Sequence, residues 1–127
     1  ARVFQAYNPP GDRITLNIQA DPVWIGVQSA IPCGLIVNEL LSNSLKYAFP
    51  SDRGGEITIA LRATPEGQMA IVVRDTGVGF PVGMDFRHTD SLGLQLVCLL
   101  TEQLGGTIEL DRASGTQWTL RFPLSNL

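Results

Sequence analysis

The hydrophobic pattern of this chain changes its period several times, and that succession most restricts the folds available to it. Residues 14–19 ("ITLNIQ") and 56–61 ("EITIAL") alternate apolar and polar side chains, which is typical of strands with one buried face. Two other segments repeat apolar residues at helical spacing, one from about Pro32 to Phe49 and one over 92–104. Strands and helices therefore interleave within 127 residues, the size of one ordinary domain.

Further strands complete the predicted order of elements. Residues 22–27 ("PVWIGV") are interpreted as a second short strand, and 69–75 ("MAIVVRD") as a buried strand that forms a hairpin with 56–61. A closing hairpin is predicted over 107–110 and 116–123. The order β-β-α-β-β-loop-α-β-β favours an α/β fold: a two-layer sandwich with one mixed, mostly antiparallel sheet and helices on one face.

Composition excludes several classes of protein. A net charge of −3 without clustered Lys and Arg argues against a nucleic-acid surface. No apolar run approaches the roughly 20 residues that span a bilayer, so no direct membrane contact is expected. The chain opens at Ala1 without a signal-peptide pattern, and we interpret it as a cytoplasmic fragment of a longer protein, which itself can be membrane-bound. Cys33 and Cys98 are expected to be reduced, buried residues, because both lie in apolar helical segments, and no Cys/His spacing suggests zinc.

The first helix, within 35–50 ("LIVNELLSNSLKYAFP"), carries an unusual polar stripe. Glu39, Asn43 and then Lys46 or Tyr47 share one side because residues three or four apart are neighbours on a helix. A carboxylate, an amide and an ammonium suit the polarisation of water, the ligation of a hard cation and contact with phosphate. A solvated polar face is the alternative. The remaining residues are predicted to pack on a sheet: Val37, Leu40, Leu41, Ser44, Leu45 and Ala48.

Two further motifs flank a long glycine-rich loop over 75–91. In "RDTGVGF", Asp75 at a strand end offers a fixed acceptor, and the glycines after it let backbone approach a ligand closely. In "DSLGLQLV", Asp90 or Ser91 caps the second helix and Gly93 leaves its first turn bare, as at an anion site. A plain turn and a plain cap are the respective alternatives. Neither a dinucleotide fingerprint nor a P-loop is present.

Together and in this order, the three motifs resemble the catalytic ATP-binding domain of sensor histidine kinases. That domain has the Bergerat-type fold of an ATPase superfamily that includes DNA gyrase, MutL proteins and the large heat-shock chaperones. The resemblance runs from about Ile14 to Pro123, and "GLIVNELLSNSLKYAFP" with "SLGLQLV" is most similar to a subfamily with a short ATP lid.

The resemblance implies roles at the phosphate end of an ATP site. Asn43 would ligate Mg²⁺, Lys46 would contact phosphate, and Glu39 would act as base or orient the reacting groups. Arg87, in the lid over about 80–90, would reach the γ-phosphate. The start of the second helix would face the phosphates through Ser91, Gly93 and Leu94.

The resemblance also implies an adenine end. Asp75 would accept a hydrogen bond from the exocyclic amine of adenine, where guanine has a carbonyl. Gly77 and Gly79 would let the loop pass the purine. Thr116 would support the pocket through water, and Tyr47 would pack beside the nucleoside.

The function implied is ATP·Mg²⁺ binding and transfer of the γ-phosphoryl group to a histidine in two-component signalling. The acceptor is expected on a separate dimerisation hairpin, which does not precede Ile14, and a response regulator would act downstream. His88 is interpreted as an incidental lid residue. Alone, the chain is expected to be inactive in autophosphorylation. The alternatives are a serine kinase of the anti-sigma-factor type and a degenerate interaction module, which the intact motifs disfavour.

Overall fold

The structure is a computed structural model that describes residues 2–6, 14–50, 53–81 and 83–127. Position 82, in the predicted lid, lies outside the described residues. Positions 51 and 52, after the first helix, also lie outside them. None of the helices within the described ranges is both long and apolar enough to cross a membrane.

One six-stranded mixed sheet forms the first layer of the fold. Its strands are β1 (Arg2–Ala6), β2 (Ile14–Ala20), β3 (Gly55–Ala63), β4 (Gln68–Asp75), β5 (Thr107–Asp111) and β6 (Thr116–Pro123). They lie in the order β1-β2-β3-β4-β6-β5, and only β2 and β3 run parallel. The mixed, mostly antiparallel sheet and both hairpins predicted from the alternation are confirmed.

The second layer consists of two helices on one face of this sheet. They are α1 (Val27–Asn43), which continues as one π-helical turn over Ser44–Ala48 (the π-turn), and α2 (Leu92–Gln103). Side chains of every second residue on β3, β4 and β6 pack against them, and the fully buried contacts include Ile36, Leu40, Ile57, Ile71, Val73, Val97, Leu120 and Phe122. The predicted two-layer α/β sandwich is therefore confirmed.

The strand predicted over 22–27 is wrong. This segment is extended and alternates in burial, and Val23 and Ile25 pack on the core, which explains its strand-like pattern. It belongs to no ladder, however, and its Gly26 N–H donates instead to the carbonyl of Leu127 at 2.7 Å. Gly26 then caps α1, which begins at Val27.

The first helix also begins earlier than predicted and differs in what it buries. Pro32 lies within α1 rather than in its first turn, and it removes the hydrogen bond that an N–H there would give to residue 28, which is exposed. Leu40, Ser44 and Ala48 are buried as expected. Leu45 is not, because the wider π-turn leaves it 51% exposed.

Candidate functional site

A cavity of about 320 Å³ opens between the end of α1, the ends of β4 and β6, and the start of α2. Its walls are mostly apolar, and a few polar groups converge on it, which is the usual character of a small-molecule site. It is lined by Asn43, Ser44, Tyr47, Ala48, Asp75, Gly79, Phe80, Pro81, Met84, Thr89, Ser91, Leu94, Thr116 and Trp118.

The cavity brings together seven of the predicted site residues. These are Asn43, Tyr47, Asp75, Gly79, Ser91, Leu94 and Thr116. The other five predicted residues do not line it: Glu39, Lys46, Gly77, Arg87 and Gly93. The three sequence motifs therefore meet in space, although part of each motif lies behind the cavity wall.

Asp75 is the most deeply placed ionisable group of the site. Its side chain is 2% exposed, and its carboxylate accepts one hydrogen bond from the Ser44 hydroxyl at 2.8 Å and one from the Gly77 N–H at 3.0 Å. Thr116 lies opposite it in the β4–β6 ladder and is also buried. Both donors to Asp75 are neutral, so this buried acceptor is oriented by hydrogen bonds rather than by a cation.

The π-turn places the helix residues of the site. Asn43 ends α1 and Ser44 begins the π-turn, and both line the cavity together with Tyr47 and Ala48, which lie four residues further on. Lys46, on the same turn, is exposed outside the lining. Single π-helical turns occur frequently at functional sites, and nothing in the apolar spacing of this segment distinguishes one from an α-helix.

Asn43 has an unusual environment. Its Nδ2 atom is buried and has no hydrogen-bond partner within the described residues. Buried polar atoms are nearly always paired in native proteins, so an orphan in a cavity wall points to a ligand. Elsewhere in the described ranges, no group of three or more His, Cys, Asp or Glu side chains could hold a metal. The Asn43 Nδ2 group can only donate, for example to a phosphate oxygen, so a cation at this cavity would depend on Asn43 Oδ1 and on oxygen atoms of a bound ligand, which is a set that Mg²⁺ tolerates.

Gly77 fixes the glycine loop against the π-turn. The Val78 N–H donates to the Ala48 carbonyl at 2.9 Å, and a Cβ on Gly77 would collide with that same carbonyl. Gly79 has a positive φ of 88°, and a Cβ added to it would lie 3.1 Å from the Gly115 carbonyl oxygen. Glycine is therefore needed at the two positions for different reasons. At Gly77 the backbone of the π-turn approaches too closely for a side chain, and at Gly79 the backbone is left-handed.

We expect Gly77→Ala to destabilise the domain by about 1–3 kcal/mol, because the added methyl group must displace backbone at Ala48. Gly34→Ala is the matched control: a Cβ there meets nothing within 4 Å, and alanine should stabilise the α1 interior by about 0.5–1 kcal/mol. Urea unfolding followed by circular dichroism measures both. Equal stability of the two variants would contradict the close approach of loop and π-turn.

Glu39 and Gly93 join the two helices behind the cavity. A Cβ on Gly93 would overlap the Glu39 carboxylate, so the carboxylate lies directly against the first turn of α2. A negative charge is favourable there because the helix dipole is positive at its N-terminus. Of the two predicted caps, Ser91 is the N-cap, and its Oγ accepts from the Leu94 N–H at 3.3 Å.

The lid is anchored by aromatic packing that the sequence did not reveal. Phe86, in a short 3₁₀ turn over Phe86–His88, and Phe80 both contact the buried Trp118 edge-on, at ring-centroid distances of 5.0 and 5.6 Å. Trp118 is two residues from Thr116 on β6 and therefore faces the same side of the sheet. That alternation was the available signal for Trp118, whereas Phe86 lies in a segment without periodicity.

Arg87 and His88 point away from the cavity. The Arg87 guanidinium donates to the Ile108 carbonyl at 2.8 Å and lies over the Phe86 ring at 4.4 Å. His88 is exposed and its Nδ1 lies 2.7 Å from Asp85 Oδ2, a contact that lowers the pKa of Asp85, followed in effect by the Arg87 N–H. A role for Arg87 at a ligand would require it to leave the Ile108 carbonyl.

Comparison with known proteins identifies the family of this chain. The family described as "Histidine kinase-, DNA gyrase B-, and HSP90-like ATPase" matches residues 28–126. Blue-light-activated histidine kinase 2 of Erythrobacter litoralis is 33% identical over 127 residues, which cover 98% of this chain and 37% of that protein. The sensor histidine kinase PdtaS of Mycobacterium tuberculosis is 34% identical over 94 residues, which cover 71% of this chain and 19% of that protein.

A solved structure gives the same result for the fold. The histidine kinase domain of the Erythrobacter litoralis EL346 blue-light-activated kinase superposes with a TM-score of 0.84 at 32% identity, over 89% of this chain and 52% of that one. Fold and site thus define an ATPase domain of the histidine kinase, gyrase B and HSP90 class. Within that class, the chain belongs to the catalytic ATP-binding domains of sensor histidine kinases. It spans about a fifth to two fifths of the length of the two curated relatives.

Proposed function

We propose that residues 1–127 form a single catalytic domain that binds ATP with Mg²⁺ in the cavity and donates the γ-phosphoryl group to a histidine of a separate dimerisation hairpin. The observation that carries this proposal is the pairing of two polar groups in one cavity wall. Asp75 is a buried, oriented acceptor, and Asn43 is a half-buried amide whose buried Nδ2 atom has no hydrogen-bond partner within the described residues. One suits the base of a nucleotide and the other its metal-bound phosphates.

At the adenine end, Asp75 would accept from the exocyclic amine, since an ionised carboxylate can only accept hydrogen bonds. Thr116, its neighbour across the β4–β6 ladder, would support that contact through water. The purine would lie along Gly79, with Tyr47 beside the nucleoside. Gly77 would contribute indirectly by keeping the loop close to the π-turn.

At the phosphate end, Asn43 would hold Mg²⁺, which supplies charge neutralisation for the phosphates when bound. The first turn of α2 would face the same phosphates with Ser91, Gly93 and Leu94, because the helix dipole favours an anion there. Lys46 is exposed beside the cavity and can extend over a bound phosphate chain. Arg87 would join only after a movement of the lid.

Phosphoryl transfer depends mainly on positioning, so the role of the protein is to hold the γ-phosphate where an acceptor can approach in line. Glu39 would orient the incoming imidazole or accept its proton as the bond from nitrogen to phosphorus forms and ADP leaves. Its contact with the α2 N-terminus would keep the carboxylate near the phosphates. The acceptor hairpin and a response regulator would be the partners, and the domain would work in the cytoplasm.

The isolated chain is expected to bind a fluorescent ATP analogue, more tightly with Mg²⁺ than with excess EDTA, and to incorporate no radioactive phosphate from γ-labelled ATP. The physical reason is that the cavity binds the nucleotide, while the acceptor belongs to another domain. Addition of a protein with the acceptor hairpin should give acid-labile, base-stable label on that protein. Acid-stable label would instead identify a serine kinase, and absence of nucleotide binding would contradict the proposal altogether.

A further inference from the structure

Ser44 is a buried residue whose hydroxyl group takes an unusual partner. Its side chain is 4% exposed, and its backbone N–H lies within bonding reach of the carbonyls of Leu40 and Leu41, as expected at the end of a helix. A serine in a helix commonly donates its hydroxyl to the carbonyl four residues earlier. Here the hydroxyl instead crosses to Asp75, 31 residues away in sequence, at 2.8 Å.

This bond completes the orientation of the Asp75 carboxylate. Oδ1 is held by the Gly77 N–H in the glycine loop, and Oδ2 is held by Ser44 in the π-turn. The two donors come from different elements, so together they fix both the position and the plane of the carboxylate. With Gly77 as donor to Oδ1 and Ser44 as donor to Oδ2, both oxygen atoms of the carboxylate act as hydrogen-bond acceptors.

We propose that Ser44 is a positioning residue that determines base specificity, because its hydrogen bond holds the Asp75 carboxylate in the orientation that accepts from the amine of adenine. The inference rests on the proposed ATP site and adds a residue to it that the polar stripe of the helix did not include. Its action is through Asp75, and a plain core hydrogen bond between the two residues is the competing explanation.

Ser44→Ala tests the proposal when ATP is compared with purine riboside triphosphate, which lacks the 6-amino group. We expect the variant to bind ATP about ten-fold more weakly and purine riboside triphosphate within about two-fold of the parent. The ratio of the affinity for ATP to that for purine riboside triphosphate should therefore fall with the affinity for ATP. A merely structural role would weaken both ligands equally, since both fill the same cavity.

The matched control is Ser42→Ala, the same change two residues earlier at a half-buried position outside the cavity lining. It should leave both affinities and their ratio at the values of the parent. Isothermal titration at saturating Mg²⁺ gives the affinities, and thermal unfolding verifies that each variant is folded. If Ser44→Ala does not fold, Ser44→Thr decides, because threonine retains the hydroxyl donor: a retained ATP preference supports the proposal.

Three outcomes would overturn the proposal. The first is that Ser44→Ala loses equal affinity for both nucleotides, and the second is that it loses affinity for neither. In both cases the parent still binds ATP, so the proposed function stays intact. A folded Ser44→Thr variant without the ATP preference is the third. A parent chain that binds neither nucleotide overturns the proposed function itself, and the role of Ser44 with it.

Discussion

Replacing Asp75 with asparagine is expected to weaken ATP binding by about 10- to 150-fold, or ~1.5–3 kcal/mol. A hydrogen bond to a charged, buried acceptor is worth more than one to a neutral group, and Asp75 is 2% exposed. The substitution also exchanges one acceptor for an N–H₂ donor, which opposes the amine of adenine and tolerates the carbonyl of guanine. We therefore expect the ATP-to-GTP affinity ratio to fall further than ATP affinity alone.

The fold should survive this change because both neighbours of Asp75 can still be satisfied. The Gly77 N–H would donate to the remaining amide oxygen, as it does to Oδ1. The Ser44 hydroxyl, which now donates to Oδ2, would rotate to accept from the new amide. Urea midpoints of variant and parent are expected to agree within about 1 kcal/mol.

Asp111→Asn provides a closely matched control for Asp75→Asn. Asp111 Oδ1 accepts from the Ala113 N–H at 2.9 Å, two residues on, just as Asp75 Oδ1 accepts from Gly77. It is exposed and does not line the cavity, so its variant should bind ATP and GTP like the parent. If titration calorimetry gives the same ATP affinity for Asp75→Asn as for the control, Asp75 does not recognise the base.

Much of the sheet could be predicted because each strand carries its own signal. Alternation in 56–61 and 116–123 marks one buried face; the structure extends the first strand to Gly55–Ala63 and has the second at its predicted bounds. Residues 22–27 show the limit of that signal. The same alternation arises there in an extended segment that packs on the core but pairs with no strand. Ladder formation depends on a free neighbouring edge, which local sequence does not encode.

The site was predictable in part for a related reason. Motif residues at strand and helix ends, such as Asp75 and Ser91, reach the cavity because the topology places those ends together. Glu39 and Gly93 do not line it, since helix packing brings them against each other. Ser44 was assigned to the sheet-packing face, and it is indeed buried, but its partner is a carboxylate. Burial could be derived from helical spacing, whereas the partner is 31 residues away in sequence and depended on how the helix packs against the end of β4.

Replacing Asn43 with alanine is expected to abolish the dependence of nucleotide affinity on Mg²⁺ and, at the same time, to raise stability. The Nδ2 atom is buried without a partner in the described residues, and an unsatisfied donor of this kind costs about 1–3 kcal/mol. Alanine removes that penalty and is a better helix former than asparagine at the end of α1. We therefore expect the unliganded variant to unfold at a higher urea concentration than the parent. A residue kept at the expense of stability is typical of a functional site.

Asn38→Ala is the matched control for this prediction, since Asn38 lies on the same helix, is exposed and does not line the cavity. It should keep the difference between ATP affinity with Mg²⁺ and ATP affinity in EDTA, whereas Asn43→Ala should show one value in both conditions. Magnesium titrations at fixed fluorescent nucleotide measure that difference directly. The proposed metal ligand would be wrong if Asn43→Ala kept the response to Mg²⁺. If Asn43→Ala instead abolished the response to Mg²⁺ and also lowered the urea midpoint, the amide would be a group that stabilises the fold. Removal of an unsatisfied donor should not destabilise the protein.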